Sequence, residues 1–87
     1  LPRYFFHTQN GEIVRDDQGE ELRGVEAARE EAVAVLGEIL RYRGAAFWTT
    51  RRFSVVVTDD AGGTVVSITA AASDSPPEYW TGSETPR

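Results

Sequence analysis

The side chains best suited to chemistry fall in three stretches of the 87-residue chain. The first, "PRYFFHT", holds the only histidine, His7, behind Phe5 and Phe6, with Arg3 four positions earlier. Imidazole titrates near neutrality, so His7 is the candidate general base, with Arg3 to orient an anion and Ser54, Thr58 or Ser67 to supply a hydroxyl. Such a base needs a carboxylate to orient it, and the strand pattern places none beside it. A partly exposed strand histidine at a hairpin or interface is the simpler reading.

The second stretch, "DDQGEE", gathers Asp16, Asp17, Glu20 and Glu21 around Gly19. Calcium loops alternate oxygen ligands over about twelve residues and end in a bidentate glutamate, a pattern absent here. The acids read as a solvated turn ahead of a helix. The third stretch, "RYRGAAFWTTRR", interleaves Arg41, Arg43, Arg51 and Arg52 with Tyr42, Phe47 and Trp48 and has no acid. Guanidinium groups and aromatic faces of this kind clamp phosphates and stack on bases. The plainer alternative has Arg41 and Arg43 complementing a helix C-terminus, Arg51 and Arg52 opening a strand, and the aromatics closing the end of a core.

Composition narrows the classes. With no cysteine there are no disulfides, thiolate metal sites or cysteine nucleophiles, and no glycine-rich phosphate loop or metal-spaced histidines occur. No enzyme, cofactor or metal site is expected. The net charge of −5 argues against a broad non-specific grip on nucleic acid, although residues 10–31 are acidic and residues 41–52 basic. All nine cations are arginine, which favours planar, bidentate pairing over point-charge attraction. No apolar run approaches the roughly 18 residues of a membrane span, and a secretory leader is not apparent, so the expectation is a cytoplasmic chain with no membrane partner.

The elements that must position these groups follow from periodicity. Residues 3–8 read as an aromatic strand, Asn10-Gly11 as a tight hairpin turn with positive backbone angles, and "EIVR" as a short second strand. Val25, Ala28, Ala32, Val35, Leu36, Ile39 and Leu40 recur at three- and four-residue intervals, which predicts a helix from about Val25 to Tyr42 with Gly44 as its C-cap. Gly37, in mid-helix, costs about 1 kcal/mol relative to alanine. "AAFWTT" reads as a loop, "RFSVVVT" and "TVVSITAA" as a second hairpin around "DDAGG". Residues 73–87 read as a Pro- and Ser-rich tail with little regular structure, leaving 1–72 as a single domain.

The resulting class is α+β: a two-layer, four-stranded, mainly antiparallel sheet in the order strand-strand-helix-strand-strand, with one helix on one face. Alternation sends Tyr4, Phe6, Phe53, Val55, Val57, Val66, Ile68 and Ala70 toward the helix. Arg3, Phe5, His7, Ser54, Val56, Thr58, Val65, Ser67 and Thr69 then share an uncovered face. Water, the tail residues Tyr79 and Trp80, or a second subunit are its possible occupants.

"PRYFFH", then "NG", "DDQGEEL" and "VEAAREEA" resemble a small bacterial domain-of-unknown-function family. Its members open with P-R-Y-F-F, carry D-x-x-G-x-x-L and continue into an A-x-x-E-A helix. The likeness rests on Pro2, Arg3, Tyr4, Phe5, Phe6, His7, Gly11, Asp17, Gly19, Leu22, Ala28, Glu31 and Ala32, with leucine at position 1 where members usually have methionine. It implies the architecture and no known activity. A weaker, fold-level similarity is to HicB-type antitoxins, which also place hairpin strands before a short amphipathic helix.

The sequence therefore favours a non-catalytic interaction module, self-associating as a homodimer or binding another protein through the open sheet face (Arg3, Phe5, His7, Val56) or an edge strand. The alternative is a nucleic-acid-binding or HicB-antitoxin-like regulatory protein acting through Arg41, Arg43, Arg51 and Arg52.

Overall fold

The computed structural model describes residues 1–80. Its elements are β1 (Arg3–Gln9), β2 (Ile13–Val14), β3 (Glu20–Glu21), α1 (Val25–Tyr42), α2 (Gly44–Thr50), β4 (Arg52–Thr58) and β5 (Thr64–Ala71). The fold is α+β, with an antiparallel open sheet ordered β2-β1-β4-β5 and β3 also paired to β1.

The α1 stripe behaves as its spacing requires. Ala28, Ala32 and Leu36 are buried against Tyr4, Phe53, Val55 and Val57, and Val35, Ile39 and Leu40 flank them. Ala28 and Ala32 let the helix axis come close to the sheet, where the larger Phe53, Val55 and Val57 are fully buried. Each of those three contributes about 1.5–3 kcal/mol by leaving water. The side chains of Phe6, Val66, Ile68 and Ala70 pack on the same cluster.

Four expectations are corrected. The sheet has five strands, because Glu20–Glu21 pairs with Arg3 and Tyr4 at the outer edge of β1. Two polar glutamates have no strand periodicity, and only tertiary pairing reveals them. The expected loop after α1 is a second helix, and Gly44 starts it; Arg43 is the C-cap of α1, its N–H donating to the Ile39 carbonyl at 2.8 Å. Helix α2 is held by Phe47, whose ring meets Phe53 edge-on at 5.0 Å. It ends at Arg51, which takes the left-handed conformation (φ 61°) more often filled by glycine.

The first turn has three residues between the Gln9–Ile13 pair, and Gly11, not Asn10, carries the positive φ. Finally, the register shifts at Val57/Thr58, so that Thr58 pairs with Thr64 and Val65 is the extra residue of a bulge. Val65 consequently packs against the buried cluster and leaves the opposite face.

Residues 73–80 form bends and a turn without helix or strand, and the rest of the expected tail, 81–87, lies outside the described residues. Tyr79 is 84% exposed and so covers nothing, and Trp80 is half-buried.

Candidate interaction surfaces

The face of the sheet opposite the helices brings together Arg3, Phe5 and His7 of β1 with Ser54, Val56 and Thr58 of β4. Strand pairing sets Phe5 opposite Thr58 and His7 opposite Val56. A shallow cleft of about 320 Å³ opens here, lined in part by His7, Gln9, Ile13, Arg15, Val56 and Thr58. The four residues read from sequence as the binding face therefore share one surface, but it is not wholly bare.

The segment between β2 and β3 folds over its N-terminal half. A Cβ at Gly19 would stand 2.8 Å from the Phe5 ring and 2.9 Å from Arg3 Cγ, and Gly19 has φ +71°. Only glycine satisfies both the backbone angle and the close approach. Arg3 crosses the same segment, donating to the Gln18 carbonyl at 2.8 Å and pairing with Glu21 at 3.2 Å.

Asp16 ties this segment down. Its Oδ2 accepts the Phe6 N–H at 3.0 Å, and its Oδ1 accepts the N–H groups of Gln18 and Gly19 at 3.0 and 3.1 Å. Burial alone would raise the Asp16 carboxyl. The N–H groups of Phe6, Gly19 and Gln18, with His7 nearby, outweigh it and hold the carboxyl below the usual aspartate range.

The backbone N–H of Asp16 in turn donates to His7 Nδ1 at 3.1 Å. With Nδ1 accepting, the imidazole proton belongs on Nε2, which donates to Thr58 Oγ1 at 3.0 Å. Both ring nitrogens are thus engaged in holding β1, the loop and β4 together. The sequence reading missed Asp16 as the organising group. The D-x-x-G-x-x-L spacing does contain it, three residues before Gly19; Asp17, the acid assigned to that motif, is exposed.

The arginines of the third stretch fall into two pairs on either side of α2. Arg43 precedes α2 and Arg51 follows it, so the pairs 41/43 and 51/52 flank a seven-residue helix, a span of about 10 Å. Arg51 pairs with Asp74 at 3.0 Å and lies over the Trp48 ring, while Arg41 lies over Tyr42.

With this geometry in hand, residues 3–71 match the family described as a domain of unknown function, DUF6894. The chain belongs to that family. No curated protein and no solved structure matches it. The DUF6894 match runs from the first residue of β1 to the last of β5, so the Asp16 loop, both helices and the whole sheet fall within it. No helix among the described residues is long and apolar enough to cross a membrane, and none of their acids and histidine are grouped to hold a metal ion.

A second surface of the DUF6894 domain is the outer edge of β5. Among the described residues no strand pairs with it, while its inner edge is bonded to β4. Its eight residues, "TVVSITAA", contain no charge and no proline, two of the devices that stop one edge strand from pairing with another; a third, a bulge, is confined to its first residues.

Proposed function

We propose that this domain is a non-catalytic interaction module that works by self-association, pairing β5 with β5 of a second copy. The supporting observation is the β5 edge: long, β-branched, uncharged and free of proline, in a sheet whose other edge is carefully closed. Edges left in this state are templates for another strand. Antiparallel pairing of identical strands creates a closed two-fold dimer, the commonest oligomer, and does not propagate into a filament.

The other candidate surfaces rank behind it. Both ring nitrogens of His7 are used to hold β1, the Asp16 loop and β4 together, which favours a structural role for it. The nucleic-acid reading is weakened by the prior engagement of Arg51 with Asp74.

The test is the molar mass in solution, by light scattering coupled to gel filtration. A dimer is expected for the wild type, and a monomer with an unchanged circular dichroism spectrum for Ser67→Lys. Ser67 is exposed and stands near the middle of β5, so in an antiparallel dimer centred on it the two introduced charges would face each other across the new ladder. A wild type that stays monomeric at every accessible concentration overturns the proposal.

A further inference from the structure

Resting on that reading, we infer that the flank of α1 above the β5 edge is a helix–helix seam for the second copy. In it, Val33 of one α1 meets Gly37 of the other, and Glu30 meets Arg41.

The flank is located by rotation about the helix axis. Successive residues turn by about 100°, so with Ala32 pointing into the core, Glu31 lies on one flank and Val33 on the other. Glu31 feels the charge of Glu20 on β3, which places its flank toward β1. Val33 therefore faces the β5 side, and it is 58% exposed, a bare valine on an otherwise solvated surface. One turn later on the same side is Gly37. Among the described residues nothing comes within 4 Å of a Cβ built there, and its φ is not positive. Neither backbone angle nor internal packing explains a glycine in mid-helix; close approach of another backbone does.

Symmetry and spacing then agree. A two-fold relating antiparallel edge strands runs normal to the sheet, so both α1 helices fall on the same side and run antiparallel. Strands pair about 4.8 Å apart. Since α1 lies across β4 and β5, its axis stands about 5 Å from the dyad and the two helices about 10 Å from each other, at the upper end of the packing distance between helices. The same symmetry brings the acidic N-terminal half of one α1, with Glu26 and Glu30, against the C-terminal end of the other, with Arg41 and Arg43. The helix dipoles oppose as well. When Val33 is set against Gly37, Glu30 is level with residue 40 of the partner, next to Arg41, and both Glu30 and Arg41 are exposed in the single chain.

Charge exchange tests the seam. Glu30→Arg and Arg41→Glu each place like charges at both symmetry-related contacts, and each alone is expected to weaken self-association about tenfold. An equimolar mixture restores opposite charges at both contacts, and sedimentation equilibrium should show a heterodimer as tight as the wild type. If the single variants associate normally, or the mixture gains nothing over them, while Ser67→Lys still dissociates the dimer, the seam is wrong and the edge pairing stands. A monomeric wild type overturns the edge pairing and the seam together.

Discussion

The outer edge of β1 is occupied along its length: β3 pairs with Arg3 and Tyr4, Asp16 takes the Phe6 N–H, and β2 pairs with Thr8 and Gln9. The outer edge of β5 has only the bulge at Val57/Thr58 to interrupt it, and that lies at one end. Both edges belong to one antiparallel sheet and the two strands are similar in length, seven and eight residues, so the difference is not imposed by the topology. On the β1 side, a loop with one aspartate and one indispensable glycine substitutes for a full strand. On the β5 side, no comparable substitute exists among the described residues, and the helix above it turns a valine and a glycine outward. A domain that closes one edge with side-chain hydrogen bonds and leaves the other chemically blank is asymmetric in a way that suits pairing at one edge only.

The strongest way to break this contrast is to reopen the closed edge. Asp16→Ala strands the N–H groups of Phe6, Gln18 and Gly19, while the residue-16 N–H that donates to His7 Nδ1 is kept. The expected loss is roughly 2–3 kcal/mol, read as a lower urea midpoint, together with association beyond the dimer because two edges are now available. Acid should act on the same group. The Asp16 pKa is depressed in the folded state, so its stabilisation is present in full above the ordinary aspartate pKa of about 3.9 and is lost as pH falls through the lower, folded value. Urea midpoints of wild type and Asp16→Ala should therefore converge at strongly acidic pH; parallel curves would show that the carboxylate is not the origin of the difference.

Gly19→Ala attacks the same edge more gently. The new methyl must push aside the Phe5 ring and the Arg3 stem, on a backbone with φ +71°, at a cost of about 1–3 kcal/mol. Loss of amide-exchange protection confined to β3 and the Asp16 loop is the expected signature, with β5 unaffected.

At the other edge, Gly37→Ala separates folding from association. A methyl on an open helix position should stabilise the single chain by up to about 1 kcal/mol, while the dimer weakens because two backbones are held apart. Higher thermal stability of the monomer accompanied by unchanged or tighter association would remove the glycine from the seam.

These two edges also mark what could be read from the sequence. The helix Val25–Tyr42 and the strands β1, β4 and β5 were legible because their apolar residues repeat at the period of the element, and burial enforces that period. The faces of Phe53, Val55 and Val57 followed from alternation alone. The closed edge was not legible, since β3 is two glutamates and its partner is fixed by Asp16 and Gly19 acting at a distance. Helix α2 was hidden for a related reason: seven residues carry too few turns to show a stripe, and only Ala46 and Phe47 pack on the cluster around Phe53. Local pattern reports what an element buries, and these pieces bury almost nothing.

The smallest effect concerns the flank of α1 that faces the closed edge. Burial, with the like charges of Glu20 and Glu38, raises the Glu31 carboxyl above its ordinary range. The folded state thus binds its proton more tightly than the unfolded chain does, and stability is lost as pH rises from the ordinary glutamate value through the raised one. At neutral pH the charge is a burden of about a few tenths of a kcal/mol at this half-buried position. Glu31→Gln should recover that amount, and the gain should shrink in high salt, where the repulsion is screened. Because Glu31 points toward β3, self-association through the β5 edge should be untouched. A change in dimer strength on Glu31→Gln would place the interface on the wrong side of the helix.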